Sequence, residues 1–282
     1  MLLDLTDCRV VVTGASRGVG RAIARAFAAE GCALAICARG EQALQEAAGE
    51  LRDLGARTVF AQAVDVRSSA DTLAFVDAAA EALGGLDVLV NNAGQGGSGT
   101  VDTVTAEDLM AHGDLIQGSH LRLVRAVVPH LRRAGGGRIV NINALAGKLP
   151  QPNGLPSSVN RAASLALSDA LASGLGPENI LVNSVNLGFV DTGQWLRHRD
   201  RQAPDATVEQ VRQAYATAIP LGRLATPEDV AGVVLFLASP LAAYVTRASI
   251  DVTGGLGVGR MFPAEALAEL RARTSPQEAV VS

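Results

Sequence analysis

A glycine-rich turn near the start of the printed sequence has the composition of a phosphate-binding loop. The segment TGASRGVG, Thr13 to Gly20, follows the apolar run Arg9–Thr13 and precedes residues with apolar side chains at helical spacing. Glycines permit a tight turn whose backbone N–H groups come close to a phosphate, and the N-terminus of the next helix adds a favourable partial charge. The spacing G-x-x-x-G-x-G differs from G-x-G-x-x-G and from a P-loop. Its place between a strand and a helix predicts a nucleotide site, and the alternative is a turn with a structural role only.

Short β-rich runs alternate with longer helical patterns along the rest of the chain. The predicted strands are Arg9–Thr13, Ala33–Ala38, Arg57–Val64, Leu86–Asn91, Gly137–Asn143, Asn179–Asn186 and Ser249–Val252. The predicted helices cover Val19–Glu30, Glu41–Leu54, a segment opened by the capping pair Ser68 and Asp71, Thr105–Arg133, Ser157–Gly174, Val208–Thr217 and Thr226–Ala238. This alternation predicts one α/β domain over residues 1–259, a doubly wound, Rossmann-like parallel sheet of about seven strands with helices on both faces. Residues 260–282 are predicted to form a C-terminal extension with a helix-like stretch at Pro263–Arg273.

Composition excludes several classes of protein. The chain has 282 residues, a formal net charge of −4, 48% hydrophobic residues and 18% charged residues, which excludes intrinsic disorder. The slight acidity argues against a nucleic-acid partner. No apolar run reaches the ~18 residues of a membrane span, and the opening MLLDLTD lacks the basic region of a signal peptide, so a cytoplasmic protein without a membrane partner is expected. Three cysteines without a C-x-x-C pair predict neither a disulfide framework nor a zinc or other metal site.

A series of motifs along the chain resembles the short-chain dehydrogenase/reductase (SDR) family. These are TGASRGVG at 13–20, DV at 65–66, NNAG at 91–94, glycine at 188, PLGR at 220–223, TPEDVA at 226–231 and DVTGG at 251–255. They follow the family's order over roughly residues 5–256. The resemblance implies that the nucleotide is bound by Gly14, Ser16, Arg17, Gly18, Val19, Gly20, Arg39, Asp65, Val66, Asn92, Ala93, Gly94, Arg161, Gly188, Val190 and Thr192. It also implies a small-molecule substrate, a substrate lid at residues 187–220 and a homodimer or homotetramer.

The end of the second predicted strand favours NADP(H) over NAD(H) as the cofactor. An acid at this point would bind the ribose hydroxyls of NAD and repel a 2′-phosphate, whereas the chain reads Cys37-Ala38-Arg39. Arg39 and Arg17 could pair with a phosphate through charge-assisted hydrogen bonds. The alternative for both arginines is a solvated loop charge. The resemblance implies that Asp65 accepts from the adenine amine, with a strand-end turn as its alternative role.

The catalytic tetrad that the resemblance implies is absent. Family members use a serine, a tyrosine thirteen residues later, a lysine four residues beyond the tyrosine, and an asparagine on the long helix. The aligned positions hold Ile116 or Gln117, Ala144, Ser157 and Arg161. The only tyrosines are Tyr215 and Tyr244, and no Tyr-x-x-x-Lys occurs. Ser157 cannot simply replace the tyrosine as an acid, because a serine hydroxyl has a pKa far above the tyrosine value of about 10.

Four residues are candidates for the missing chemistry: Ser157, Arg161, Lys148 and Asn143. Arg161 could hold ribose hydroxyls and a positive charge near the nicotinamide, or lie on a helix face. Lys148, the only lysine, could titrate near neutrality if desolvated, or be solvated on its loop. Asn143 could donate to a carbonyl oxygen or bond the strand end, and Ser157 could merely cap its helix.

Other groups could also supply a proton or attract a substrate. His112 and His120 lie on the long predicted helix, where histidines are most often surface residues. The segment Arg197–Arg201 could attract an anionic substrate or form a solvated charged face.

Three functions remain open from the sequence. The first is an NADP(H)-dependent oxidoreductase that acts on a carbonyl or alcohol by a non-standard proton route. The second is a cyclase, dehydratase or isomerase on the same scaffold. The third is a catalytically inactive binding protein or partner subunit.

Overall fold

Seven strands form one sheet in the order β3-β2-β1-β4-β5-β6-β7. The computed structural model describes residues 3–193 and 205–257 together with position 272. The strands are β1 (Arg9–Thr13), β2 (Ala33–Ala38), β3 (Thr58–Ala63), β4 (Val88–Asn91), β5 (Gly137–Ala144), β6 (Ile180–Leu187) and β7 (Ser249–Val252). Every pairing from β3 across to β6 is parallel. The strand order reverses between β1 and β4, and such sheets bind ligands at the carboxyl ends of the strands beside this reversal.

Helices lie on both faces of the sheet, so the predicted fold class is confirmed. They are α1 (Gly18–Ala29), α2 (Glu41–Asp53), α3 (Ser69–Leu83), α4 (Ala106–Gly113), α5 (Ser119–Arg133), α6 (Leu155–Leu175), α7 (Val208–Ala218) and α8 (Pro227–Ala238). Helix α1 packs against α2 and α8, and α3 packs against α5. Because both faces are covered, a central strand needs apolar side chains in both directions, which explains the run of fully buried valines at 10–12. Within the described ranges, no helix combines the length and apolarity that crossing a bilayer requires.

The helix predicted over Thr105–Arg133 runs from Ala106 to Arg133 and contains one π-helical turn. Thr105 and Asp108 form a reciprocal capping box at the start of α4, and a five-residue π-helical turn, Asp114–Gly118, joins α4 to α5. Such a turn accommodates one extra residue and often accompanies a functional site. Apolar periodicity alone does not distinguish it from regular helix.

Most other boundaries differ from the prediction by one or two residues. Helix α6 begins at Leu155, two residues before the predicted start, and β5 extends to Ala144. Ser68 caps α3 as expected, because its Oγ accepts a hydrogen bond from Asp71 N at 3.2 Å.

The chain divides into two compact units. The first is Met1–Leu187 with Pro227–Asp251, and the second is Gly188–Thr226 with Val252–Ser282. In the second unit Thr207 and Gln210 form a capping box on α7. The predicted lid at 187–220 and extension at 260–282 stay predictions.

Candidate active site and nucleotide cradle

The glycine-rich turn follows β1 and opens α1. Gly14 and Gly18 adopt φ values of +66° and +57°, a region that disfavours residues with a Cβ. Gly14 N and Ala15 N donate to Cys37 O at 2.7 and 3.2 Å, which fixes the turn against the end of β2. At Gly20 an added Cβ would lie only 2.3 Å from Gly14 O, so the turn closes on itself without room for a side chain. Ser16, Arg17 and Val19 retain solvent exposure.

The segment after β4 packs directly on this turn. Asn92 Nδ2 donates to Thr13 O at 2.8 Å and to Gly14 O at 3.3 Å. Asn92 N and Ala93 N both donate to Thr13 Oγ1 at 3.0 Å. The structure thus brings the glycine-rich turn together with residues 92–94 where the strand order reverses. The role of Thr13 was missed from the sequence, although its place directly before Gly14 could have indicated it.

We call the glycine-rich turn Gly14–Gly20 and the adjoining residues 92–94 the nucleotide cradle. Two exposed arginines, Arg17 and Arg39, border it. Arg17 and Arg39 form no ion pair with any residue in the described part of the chain. Asp65 accepts from Arg67 Nε at 3.0 Å and from Arg67 N at 3.0 Å. The Arg67 hydrogen bonds, with a smaller contribution from the charge of Arg39, lower the pKa of Asp65 to about 2. Arg67 was not singled out from the sequence, and it pairs with Asp65, an acid on which the charge of Arg39 also acts. The neighbouring Val66 is buried.

Ser157 lies within α6, and the expectation that it caps this helix is wrong because Gly154 occupies the N-cap position. Its Oγ accepts a hydrogen bond from Gly97 N at 2.8 Å, which ties α6 to the loop after β4. No acceptor for the Ser157 O–H occurs among residues 3–193 and 205–257. The hydroxyl proton therefore remains available to a ligand.

Arg161, one helical turn after Ser157, is buried rather than solvated. Its Nη1 donates to Ile142 O at 3.0 Å, and its Nε has no hydrogen-bond partner in the described structure. Burial lowers the pKa of Arg161 to about 10. A Cβ added to Gly94 would lie 3.3 Å from Arg161 Nη2, so the guanidinium lies beside the segment that packs on the glycine-rich turn.

The two other catalytic candidates are engaged by the protein. Asn143 Nδ2 donates to Arg161 O at 3.1 Å, while its buried Oδ1 lacks a partner within the described residues. Lys148 Nζ donates to Asp251 Oδ1 at 2.7 Å and to Ser249 O at 2.9 Å. Lys148 is therefore exposed, as the solvated alternative expects, and it is also paired with β7, which does not support a desolvated lysine that acts as a proton donor.

The interpretation of His112 and His120 as surface residues is wrong, because both are buried. His120 Nδ1 lies 3.1 Å from Ser164 Oγ, and burial followed by the charge of Arg161 lowers the pKa of His120 to about 3. His112 contacts the loop after β4 and also has a lowered pKa, chiefly from burial. Ile116, at the position where the resemblance implies an asparagine, is fully buried in the π turn. The amide of the alternative residue, Gln117, lies 3.1 Å from Asn160 Oδ1.

Three predicted nucleotide contacts lie in the second unit. Gly188 N donates to Val252 O at 3.1 Å, and Val190 forms a bridge with Ala225. Thr192 N donates to Val190 O at 2.8 Å. Their assignment as cofactor contacts stays a prediction.

Two predictions from the sequence concern residues that the structure does not describe. Arg197–Arg201 lies outside the described residues, as does the helix predicted at Pro263–Arg273 apart from position 272. No group of three or more histidine, cysteine, aspartate or glutamate side chains suited to a metal occurs in the described ranges.

Comparisons with known proteins cover nearly the whole chain. Residues 14–257 match the family model described as enoyl-(acyl carrier protein) reductase. The protein assigned as the ketoacyl reductase of the monensin polyketide synthase of Streptomyces virginiae is 39% identical over 251 residues, which cover 88% of this chain and 96% of that protein.

Two solved structures are also similar. The NADPH-bound structure of a short chain oxidoreductase from Pseudomonas aeruginosa PAO1, described as containing an atypical catalytic center, is 37% identical with a TM-score of 0.80, over 90% of this chain and 99% of that one. L-sorbose reductase from Gluconobacter frateurii, complexed with NADPH and L-sorbose, is 31% identical with a TM-score of 0.87, over 92% and 99% of the two chains.

Proposed function

The chain belongs to the short-chain dehydrogenase/reductase family of oxidoreductases, and on this premise we propose that it uses NADP(H) to interconvert a carbonyl and an alcohol in a small organic molecule. The proton route differs from the family's tyrosine and lysine, because this chain has serine and arginine at those positions. The observation that carries the proposal is the glycine-rich cradle bordered by two arginines without acidic partners in the described ranges.

The residues present fit a phosphorylated dinucleotide. The tight turn at Gly14–Gly20 and the N-terminus of α1 suit a pyrophosphate. Arg17 and Arg39 suit a 2′-phosphate, because guanidinium groups form charge-assisted bonds to phosphate oxygens. Arg67 supports this choice by neutralising Asp65, which would otherwise oppose a second negative group nearby. Both structural relatives named above carry NADPH according to their descriptions, which supports the same cofactor.

Bound NADPH would supply the hydride for a carbonyl carbon. The chain's own contribution is polarisation of the carbonyl oxygen. Ser157 Oγ is fixed by Gly97 N and can donate its proton in a hydrogen bond to that oxygen. Its high intrinsic pKa makes it an orienting donor rather than an acid, so the proton that completes the alcohol comes from water. Arg161, buried and without an acidic partner in the described structure, places a positive charge near the region where negative charge develops.

The cofactor assignment is tested by calorimetry with NADPH and NADH. We expect NADPH to bind more tightly, and Arg39→Ala to weaken NADPH by about 10- to 100-fold, since a hydrogen bond to a charged group contributes roughly 1.5–3 kcal/mol. NADH affinity should change little. Arg52→Ala is the matched control, because Arg52 is in the last turn of α2, whereas Arg39 precedes that helix. Equal affinities for both nucleotides, unaffected by Arg39→Ala, would contradict the assignment.

The reaction is tested by following hydride transfer from deuterated NADPH over a panel of ketones, aldehydes and thioester-linked ketoacids. We expect turnover that Ser157→Ala lowers and Ser157→Thr partly restores. Product formation that needs no nicotinamide would instead favour a cyclase, dehydratase or isomerase. The apolar side chains at Ile116 and Ala144 favour a second candidate, a non-catalytic partner subunit. NADPH binding without turnover on any substrate would select that role.

A further inference from the structure

His112 joins the loop after β4 to two helices. It lies in the last turn of α4 and is buried. Its Nε2 lies 3.2 Å from Gln95 O, and since a carbonyl oxygen only accepts, Nε2 carries the proton. Its Nδ1 lies 3.2 Å from Asn160 Nδ2, which also donates to Leu109 O at 2.9 Å. These contacts fix a neutral imidazole that donates to the loop and accepts from α6.

Gly97 connects the imidazole to Ser157. A Cβ added at Gly97 would lie 2.8 Å from His112 Cδ2 and 2.9 Å from Pro156 Cβ, so the loop backbone rests against the ring edge and the start of α6. The N–H of the same glycine donates to Ser157 Oγ at 2.8 Å. The imidazole thus holds the loop two residues away from the peptide group that orients the Ser157 hydroxyl.

Protonation of His112 would remove the hydrogen bond that its Nδ1 accepts from Asn160. An imidazolium has two N–H donors, so its Nδ1–H would face the donating amide of Asn160. The charged group of the described chain that acts on His112 is Arg161 of α6, which would repel it. The other groups that contact the ring are neutral: Gln95 and Gly97 of the loop and Asn160 of α6. Burial lowers the pKa of His112, the hydrogen bond to Gln95 O raises it, and the charge of Arg161 lowers it; the net shift is downward and favours the neutral form near pH 7.

We propose that His112 is a positioning residue that, in its neutral form, holds the loop at residues 95–97 and thereby orients the Ser157 hydroxyl. It acts through Gln95 and Gly97 without touching substrate. Protonation keeps the hydrogen bond to Gln95 O but breaks the one from Asn160, so the ring and the loop that it holds are no longer fixed to α6, and turnover falls at acid pH. The effect on turnover rests on the proposed function, whereas the effect on the loop does not.

The first test measures the loop itself in the cofactor-free full chain. Hydrogen exchange of a peptide spanning residues 92–105 reports the protection of the Gly97 amide. We expect the Gly97 amide to exchange about tenfold faster in His112→Leu than in the unmodified chain, after correction for intrinsic rates. The reason is that leucine cannot form the hydrogen bond to Gln95 O, so the loop opens more often. His112→Gln keeps an N–H donor and should stay within about threefold of the unmodified chain. After correction for the slower intrinsic exchange at acid pH, lowering the pH to 5 should reduce the protection of the Gly97 amide in the unmodified chain but not in His112→Gln.

His130→Gln is the matched control, because His130 lies on α5 and bonds Asp77 instead of the loop. Equal exchange in all variants would overturn the proposal. So would equally fast exchange in His112→Gln and His112→Leu, because ring packing rather than the hydrogen bond would then hold the loop.

The second test follows kcat and KM from pH 5 to 8 on any carbonyl that turns over. We expect His112→Leu to lower kcat about tenfold with little change in KM. His112→Gln should remove the acid limb of the kcat profile. An acid limb that persists in His112→Gln would overturn the link to catalysis. If loop exchange responds as expected but no carbonyl is reduced, the proposed function fails while the positioning role of His112 stands.

Discussion

Lowering the pH from 7 to 5 is expected to destabilise the fold through His120, in addition to any contribution from His112, whose pKa is also lowered. His120 is 1% exposed, and burial followed by the charge of Arg161 lowers its pKa from 6.5 to about 3. Between pH 6.5 and about pH 3, His120 is therefore mostly protonated in the unfolded chain and mostly neutral in the folded chain. The free energy of unfolding falls with pH over this window, by about 1.4 kcal/mol for each pH unit. Above pH 6.5 both states are neutral at this position, and the contribution is constant.

Between pH 6.5 and pH 5 the loss from His120 comes to about 2 kcal/mol. Urea unfolding followed by circular dichroism at pH 7 and pH 5 measures it. His120→Gln should be less stable at pH 7, because it loses ring packing, but its pH dependence should be smaller by about that amount. Equal pH dependence in His120→Gln and the unmodified chain would refute the reasoning.

Three further substitutions test the glycine-rich turn, the ion pair of Lys148 and the buried charge of Arg161. Gly20→Ala places a Cβ 2.3 Å from Asn92 Nδ2 and from Gly14 O, and it should lower both the melting temperature and NADPH affinity in scanning and titration calorimetry. Lys148→Met removes an ion pair with Asp251 whose side chains are 32% and 39% exposed; stability should fall by at most about 1 kcal/mol, and a kcat loss far beyond threefold in steady-state assays would restore the lysine as a proton donor. Arg161→Met should weaken NADPH binding at least tenfold in calorimetry while thermal stability holds or rises, because a buried cation is costly when, as among the described residues, no carboxylate pairs with it.

The sheet was predictable from sequence because its central strands are covered on both faces. Such strands appear as continuous apolar runs, as in β1, where the predicted and observed bounds coincide. The glycine-rich turn was predictable for a related reason, since positive φ at Gly14 and Gly18 leaves few other residue choices. Both features depend on residues that are close together along the chain.

The surroundings of the candidate catalytic positions were not predictable, because the inward face of α6 is polar. Its buried positions include Ser158, Asn160, Arg161, Ser164 and Ser168. A prediction from apolar periodicity places such polar residues in solvent. For the same reason it wrongly places at the surface the two histidines that contact this face, His112 and His120. The partners that make this face tolerable are remote in sequence, as when Asn141 Nδ2 donates to Ser168 Oγ at 2.8 Å. Only the assembled sheet and helices reveal them.

The single ε-amine of the chain gives chemical access to the edge of the sheet. Lys148 anchors β7, the outermost strand, through Asp251, which also accepts from Asn186 Nδ2 at 2.6 Å. An acylating dye reacts with a free amine and converts it to a neutral amide, so it can label this position only when the anchor opens. The rate of dye uptake at Lys148 would therefore report how often its ion pair with Asp251 opens, without any engineered probe.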